Sequence, residues 1–361
     1  MTISSIQYSL LQLVRIGLGY KGFLKDVPDW NAVYREALKQ GVLAIAFDGY
    51  TVLFEKGQAP EMPIQIKTEW IGSVLQYENS FWAQQKTAKE LASLYSNNFI
   101  RTYVLKGYVV SECYPKPAHR LSSDFDCFLV PDKDSSFDAW ELGNSLIENM
   151  GFPVDKQHYK NSAFTISGLY VENHKFLTPF RGNKRLTSLE KVFQKLIHQD
   201  GGDDVIEGTN LCRPPIMVTS LFLIEHAYSH FLHEGLTLRY LLDWMMFKDK
   251  HNKDILWSDF DAIIEEFGFR KFYDSYLKLG KFVLGEINEN ELNNLDKRML
   301  ADVWDDLDIH PTKNLFKSKL SLAGNTLRAY WKYHYFSPVS MICALWIQIK
   351  GYFFMKNPVL D

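Results

Sequence analysis

The sequence predicts an α/β (α+β) protein in which a mixed β-sheet with packed helices is joined to a mostly α-helical domain. Three observations support this fold class. Apolar residues recur at helical spacing through residues 3–97 and again after residue 186. Between residues 100 and 176 the pattern changes to short apolar runs that are typical of strands. A segment rich in Gly and Asp, residues 200–210, separates this region from most of the later helices.

The middle of the chain predicts a strand–helix–strand–helix unit followed by three short strands. Pro115 and Pro117 stop the first of these helices, and Gly151 is a suitable residue just after the end of the second. This order is typical of a mixed sheet with helices on one side. The predicted strands span residues 100–105, 125–130, 154–159, 163–167 and 169–176, and the predicted helices span residues 107–113 and 135–150.

The chain divides into three predicted parts. Residues 1–65 are expected to be helices, one of them beginning near Asp29, that pack on the later helical domain. Residues 66–200 are expected to carry the sheet and the chemistry, and residues 201–361 to form an α-helical C-terminal domain. The cleft between the last two parts is the expected place for a functional site.

Composition narrows the class of protein. The 361 residues are 46% hydrophobic, which indicates a packed core, and a net charge of −3 gives no bulk basic field for nucleic acid. Four cysteines without a CxxC pair fit thiols in a reducing cytoplasm. The N-terminus lacks the cationic region of a signal peptide, and the apolar stretch at residues 339–354 is too short to cross a bilayer. We therefore expect a cytoplasmic protein without a membrane span.

Two aspartates on one predicted strand carry the strongest chemical signal. Residues i and i+2 of a strand point to the same face, so Asp124 and Asp126 project side by side. Two adjacent carboxylates repel each other unless a cation lies between them. Hard oxygen ligands of this kind suit Mg²⁺, which usually binds one or two carboxylates together with substrate phosphates. The pair predicts metal-dependent phosphoryl or nucleotidyl chemistry.

The sequence around this pair carries an ordered set of motifs. A Leu-Lys-Gly turn is followed by Tyr-Pro, Arg and Asp-x-Asp, then by a strand with an acid and His, and then by a helical stretch with a His pair. This order resembles the broad group of bacterial uncharacterised nucleotidyltransferases over roughly residues 5–250. The matching residues are Leu105-Lys106-Gly107, Tyr114-Pro115, Arg120, Asp124-Phe125-Asp126, Glu172 with His174, His226, His230, Leu238-Arg239 and Leu242-Asp243.

The resemblance implies a nucleotidyltransferase-like sheet and transfer of a nucleoside monophosphate from an NTP, with Mg²⁺ or Mn²⁺ as the cofactor. Asp124 and Asp126 would bind the metal, and Glu172 would be the third carboxylate, where the group commonly has Asp. His174 shares a strand face with Glu172, so either could reach the metal or activate the acceptor, although an ordinary hydrogen-bonded histidine is the simpler interpretation. The acceptor is expected to be a small molecule or a protein, since the neutral composition disfavours RNA.

Three more residues are implied to hold the triphosphate. Gly107 lets the backbone approach the phosphates closely, and the helix after it offers free N–H groups. Lys106 is a candidate phosphate-pairing charge, with a solvated lysine as the alternative. Arg120 either clamps a phosphate bidentately or fixes the loop before the aspartates.

The principal alternative is a catalytically degenerate nucleotide-binding or partner-binding protein that retains the fold. It is supported by the longer Glu172 and by Tyr108, which stands where a second small residue is expected. A third alternative is a zinc enzyme, because three histidines fall on one face of a predicted helix. The simpler interpretation is that these histidines pack against the catalytic domain. They are His226, His230 and His233.

Overall fold

A six-stranded mixed sheet lies at the centre of the part of the molecule that carries the predicted site. The computed structural model describes residues 3–132, 136–199, 204–305 and 329–354. The strand order across the sheet is β3-β4-β2-β1-β6-β5. The strands are β1 (Ile100–Val104), β2 (Asp124–Pro131), β3 (Asn161–Ile166), β4 (Leu169–His174), β5 (Asp204–Val205) and β6 (Leu211–Arg213).

Helices precede, interrupt and follow the sheet, so the chain is an α+β protein as the sequence predicts. Before the sheet come α1 (Ser5–Gly17), α2 (Trp30–Lys39), α3 (Leu43–Glu55) and α4 (Ile64–Ser96). Within it lie α5 (Tyr108–Ser111), α6 (Ala139–Asn149) and α7 (Lys184–Gln199). After it come α8 (Ile216–His233), α9 (Leu238–His251), α10 (Trp257–Glu266), α11 (Arg270–Leu284), α12 (Asn294–Trp304), a helical segment α13 (329–336) and α14 (Met341–Phe354).

The pairing of the central strands decides which side chains meet. β2 pairs with β1 in antiparallel and with β4 in parallel orientation. In the second pairing Asp124 lies opposite Tyr170, and Asp126 lies opposite Glu172. Because equivalent positions of neighbouring strands share a face, this register brings the acids of β2 and β4 together.

Local signals in the sequence explain several element ends. Asp29 and Asp138 are the N-cap residues of α2 and α6, and their side chains accept hydrogen bonds from Ala32 N and Glu141 N. Gly151 follows α6 with a φ of +88°, a conformation that few residues other than glycine adopt readily. The helix end predicted at Gly151 is therefore present in the structure.

Two parts of the predicted sheet differ from the observed one. Residues 154–159 do not form a strand, and Asp155 makes only an isolated bridge to Ala163. The segment interpreted as a connector contains β5, and β6 follows directly after it and pairs in parallel with β1. Strands of two and three residues carry no readable period, which is why the sequence pattern does not reveal them. The sheet thus extends to Arg213, and the division of the chain at residue 200 stays a prediction.

The N-terminal helices share a hydrophobic core with the helices that follow the sheet. This core joins Leu10 and Val14 of α1 to Leu241 of α9 and Leu279 of α11. Arg15 also donates hydrogen bonds to the carbonyl oxygens of Phe282 and Val283, at 2.6 and 2.7 Å, near the end of α11. A cation there satisfies carbonyls that have no partner within the helix. Of the helices among the described residues, none is long and apolar enough to cross a membrane.

The contact between α1 and α3 depends on two glycines. A Cβ at Gly49 would overlap the carbonyl oxygen of Leu13, and a Cβ at Gly17 would overlap that of Ile45. The two helices therefore touch backbone to backbone, and a methyl group at either position can be accommodated only if the helices separate.

We expect Gly49→Ala to lower the free energy of unfolding by about 2 kcal/mol, because the added methyl group forces α3 away from α1. The matched control is Gly72→Ala, at an exposed position of α4 where nothing lies within 4 Å of the added Cβ. That change should stabilise the protein by about 0.5–1 kcal/mol, because alanine favours the helix. Urea unfolding midpoints measure both changes, and equal shifts would contradict the close helix contact.

Candidate active site

Four of the predicted site residues meet on one face of the sheet, on the neighbouring strands β2 and β4. Asp124 begins β2 and Asp126 follows on the same face, while Glu172 and His174 are the corresponding pair near the end of β4. His174 Nε2 lies 3.0 Å from Asp126 Oδ1 and 3.6 Å from Glu172 Oε2. Asp126 is only 2% exposed and His174 only 3%. The strand register thus creates a buried acid–histidine cluster.

Three members of this cluster are close enough to hold one cation. The candidate ligand atoms of Asp126, Glu172 and His174 all lie within 4.8 Å of one another. Carboxylate oxygens favour Mg²⁺, and the imidazole nitrogen is a better ligand for Mn²⁺ or other transition metals. Asp124 contributes a fourth acidic group at the exposed end of the cluster, with its side chain 26% exposed.

Lys106 places its ammonium group between the two aspartates. Its Nζ lies 3.4 Å from Asp124 Oδ2 and 3.1 Å from Asp126 Oδ2. The second contact is an ion pair without good hydrogen-bond geometry, so Asp126 Oδ2 is buried without a hydrogen-bond partner among the described residues. The lysine therefore neutralises the repulsion between the acids at the position where a metal ion is expected.

Gly107 brings Lys106 and the start of α5 close to the loop before β2. Its φ is +62°, and a Cβ there would lie 3.2 Å from Ser122 Oγ. A side chain at this position would be strained both by the backbone conformation and by the contact. The glycine predicted from the sequence is thus required by the turn itself.

The acids are ionised because the cluster supplies positive charge. Burial alone would raise the pKa of Asp126, but the ammonium of Lys106 and the hydrogen bond from His174 outweigh it and hold the pKa well below its ordinary value. His174 lowers the pKa of Glu172 against the effect of burial. Burial alone would lower the pKa of Lys106, but Asp126 and Asp124 raise it. Asp126 and Glu172 therefore rest as carboxylates beside the ammonium ion of Lys106.

Helix α8 forms the wall opposite the sheet. His226 Nε2 lies 3.4 Å from Lys106 Nζ, and Phe222 packs edge-on against the ring of His174 at 6.2 Å between centroids. Burial and the nearby ammonium hold the pKa of His226 well below its ordinary value, so its ring is neutral at pH 7. A neutral imidazole nitrogen can accept a hydrogen bond from Lys106.

Arg120 is fully engaged in fixing the loop before the aspartates. Its guanidinium group forms a bidentate pair with Asp243 of α9, with distances of 2.8 and 2.7 Å, and also donates to Leu121 O. Tyr114 donates to the same carboxylate at 2.8 Å. Of the two roles considered for Arg120, the observed geometry corresponds to the second. Charge-assisted bidentate bonds of this type are strong and directional.

A second, partly buried network holds the same loop from the other side. His119 lies in a short 3₁₀ helix (Pro117–His119), with Nδ1 2.7 Å from Asp48 Oδ2 and Nε2 2.9 Å from Glu78 Oε1. Lys116 Nζ lies 2.6 Å from Asp48 Oδ1. Sequence reasoning missed this network, because its acids lie 71 and 41 residues before the histidine and no local pattern links them.

The three histidines of α8 do not converge on one point. His230 pairs with Glu234 at 2.8 Å, whereas His233 donates from Nδ1 to Ser229 O and contacts Tyr333 at 3.2 Å. Within the residues that the structure describes, these histidines form no group of three metal ligands. The geometry therefore gives no support to the zinc alternative.

A cleft lies between Lys106, Asp124 and the helical wall formed by His226 and Tyr240. Its volume is about 20 Å³, room for roughly one water molecule. The side chains of the cleft therefore have to separate before a larger ligand can enter.

The mixed sheet, the paired acids and the lysine–glycine turn together define a nucleotidyltransferase-type protein. The chain matches the family described as uncharacterised nucleotidyltransferase over residues 26–285, well over half of its length, and it belongs to that family. No curated protein and no solved structure shows significant similarity to the chain. The family assignment expected from the motifs is confirmed.

The network around His119 predicts a pH-dependent stability. Burial alone would lower the pKa of His119, but its hydrogen bonds to Asp48 and Glu78 outweigh it and raise the pKa. A raised pKa in the folded state means that this contribution is fully present below the unfolded value of about 6.5 and is lost as pH rises through the folded value. The urea midpoint of the wild type should therefore fall through this window.

The matched variants are His119→Gln and His334→Gln, the latter at an exposed position of α13. His119→Gln should flatten the pH dependence above about pH 6.5, and His334→Gln serves as the control for the loss of a histidine elsewhere. An unchanged slope in His119→Gln would show that the histidine does not carry the charge assigned to it.

Lys106 should compete with a metal ion for the acids. Lys106→Met removes the ammonium while keeping an unbranched side chain, so Mn²⁺ alone should bind the free protein about tenfold more tightly than it binds the wild type. Electron paramagnetic resonance of free Mn²⁺ measures this affinity. Lys39→Met, on α2 and away from the cluster, is the control. Weaker Mn²⁺ binding by Lys106→Met would contradict the competition.

Proposed function

We propose that the protein is a Mg²⁺-dependent enzyme that transfers a nucleoside monophosphate from an NTP to an acceptor and releases pyrophosphate. The observation that carries this proposal is the register of β2 and β4, which sets Asp126 opposite Glu172 in a chain of a nucleotidyltransferase family. The four free cysteines fit the cytoplasm as the place of action.

The residues present fit a hard divalent cation. Asp126 Oδ2 is a buried oxygen without a hydrogen-bond partner among the described residues, and Asp124 and Glu172 add carboxylates beside it. We assign the metal to these three acids, and His174 holds Asp126 in orientation through Oδ1. When bound, the ion supplies stabilisation of negative charge on the reacting phosphate oxygens.

Lys106 and Gly107 are assigned to the triphosphate. Movement of the Lys106 ammonium away from the acids would place it against phosphate oxygens, while Gly107 leaves the backbone open to close approach. Arg120 acts indirectly, because its hydrogen bonds to Asp243 keep the loop that leads to Asp124 in place. In this arrangement the ammonium of Lys106 leaves the carboxylates of the cluster and pairs with phosphate oxygens.

The proposed reaction is an in-line displacement at the α-phosphorus. An oxygen of the acceptor forms a bond to phosphorus, and the bond from phosphorus to the bridging oxygen of pyrophosphate breaks. Glu172 is ionised and is more exposed than Asp126, so it is the assigned acceptor of the proton from the attacking hydroxyl group.

One observation favours the alternative of a degenerate nucleotide-binding or partner-binding protein. The cleft between Lys106 and α8 has a volume of only about 20 Å³, and the lysine stands where the cation would bind. A protein that never bound a metal would also gain from this internal neutralisation.

Calorimetric titration separates the two functions. ATP, GTP, CTP and UTP are titrated with Mg²⁺ into the wild type and into the double variant Asp124→Ala/Asp126→Ala. Metal-dependent binding that is lost in the double variant supports the transferase. Nucleotide binding that depends neither on the metal nor on the two aspartates supports the degenerate alternative. The absence of any nucleotide binding by the wild type refutes the transferase.

Asp126→Asn should lower the rate of pyrophosphate release from the bound NTP by at least about a hundredfold, because the amide cannot supply the charge that the metal requires. Asp259→Asn, at an exposed position in the first turn of α10, should retain the wild-type rate. A coupled pyrophosphate assay measures both. Full activity of Asp126→Asn would contradict the assigned metal site.

A further inference from the structure

A second, larger cavity lies beside the acid–histidine cluster. Its volume is about 300 Å³, at the lower end of the range of small-molecule sites. Its walls come from the loop before β3, the segment before α7, helix α8 and the start of α14. The lining includes Tyr159, Arg185, Glu225, Ser229 and Tyr333. The proposed function does not use any of these side chains.

The cavity and the acid cluster share two walls. Asn161 of β3 pairs with His174 of β4. Tyr159 lies two residues before Asn161, in the loop that leads into β3, and lines the cavity. On α8, Glu225 and Ser229 line the cavity, while the adjacent His226 faces Lys106. Glu225 is near enough to His174 to interact with it electrostatically. A molecule bound in the cavity would therefore lie next to the proposed reaction centre.

The cavity contains polar groups that the described part of the chain does not satisfy. The Glu225 side chain is 2% exposed and lines the cavity, with Lys160 and Arg185 as nearby cations. Arg185 Nε and Tyr228 Oη lie close to each other and are buried without a well-formed hydrogen bond among the described residues. Burial raises the pKa of Glu225 to about 7, so the group can accept or donate a hydrogen bond near neutral pH. Buried groups of this kind require a partner.

We propose, on the basis of the proposed function, that this cavity is the acceptor site and that the acceptor is a small ring compound with adjacent hydroxyl groups. Each hydroxyl group both donates and accepts hydrogen bonds, so a pair of them can satisfy Glu225, Arg185 Nε and Tyr228 Oη together. The apolar walls and the tyrosine rings would pack against the carbon face of the ring. The volume of the cavity excludes a folded protein or an RNA duplex.

The reaction balances with such an acceptor. One hydroxyl oxygen forms the new bond to the α-phosphorus, pyrophosphate leaves with the electrons of the broken bond, and the hydroxyl proton passes to Glu172. Glu225 holds the ring but does not exchange a proton with the reacting atoms, so it is a binding residue.

Thermal unfolding tests the cavity without relying on catalysis. The probes are myo-inositol and D-glucose for neutral polyhydroxyl rings, L-alanine for zwitterions and inorganic phosphate for anions. At concentrations well above the dissociation constant, a ring compound should raise the Tm of the wild type by on the order of 2 °C. No response to either ring compound overturns the proposal, and so does a response to L-alanine or phosphate alone.

Two variants test whether the rise in Tm comes from binding of the ring compound in the cavity. Glu225→Leu removes a carboxyl group whose burial raises its pKa, so its Tm without ligand should stay close to that of the wild type, while the response to the ring compound is lost. Ser229→Trp fills the cavity and should abolish the response independently. Glu266→Leu, the same change at an exposed position of α10, should respond like the wild type. Retention of the response in both cavity variants overturns the proposal.

Nucleotide binding and pyrophosphate release, measured on the same proteins, separate this proposal from the proposed function. In the wild type the ring compound should increase pyrophosphate release, and Glu225→Leu should raise the KM for that compound at least tenfold. Polyhydroxyl binding without nucleotide binding would refute the nucleotidyl transfer and the acceptor role together. Metal-dependent pyrophosphate release with no polyhydroxyl response would refute only the acceptor site.

Discussion

The parallel pairing of β2 with β4 is the constraint on which the candidate site depends. Asp126 lies opposite Glu172 only because the two strands have this register. A slip of one residue would turn the whole acidic face of one strand towards the hydrophobic core on the other side. That core contains Phe125 and Cys127, the neighbours of Asp126 along the strand. The alternation of polar and apolar residues therefore sets the packing of the sheet and the position of its chemistry at the same time.

Two ionic networks keep the loop between α5 and β2 in place. Asp243 holds Arg120 from the C-terminal helices, whereas Asp48 and Glu78 hold His119 from the N-terminal ones. Buried charges are costly when they lose their partners. Any displacement of the N-terminal or the C-terminal helices relative to the sheet would therefore disturb the approach to Asp124. The helices outside the sheet thus contribute to the position of the acids, although most of their residues never reach the cleft.

The sequence predicted the features that local patterns encode. The fold class, the ends of α2 and α6, the turn at Gly107 and the shared face of Asp124 and Asp126 all follow from spacing within a few residues. Glu172 lies beside Asp126 and His174, and His226 lies beside Lys106, so residues from separate motifs meet around the same cluster.

Features that depend on distant partners could not be predicted in this way. The short strands β5 and β6 exist only because β1 offers an edge for pairing, and two or three residues carry no period of their own. The bidentate partner of Arg120 is Asp243, which lies 123 residues later in the chain. Glu225 looks in sequence like one more polar residue of a helix, and only the surrounding walls show that its carboxyl group is buried.

The ammonium of Lys106 also bears on the order in which ligands arrive. The ammonium already offsets part of the negative charge of the acids, so under the proposed function a lone divalent ion gains less by entering and must displace a bound cation. A metal ion carried by a triphosphate brings the anion that the displaced lysine needs. Under the proposed function, metal and nucleotide binding are then thermodynamically linked, each favouring the other, and Lys106 shields the acids from other cations until substrate is present.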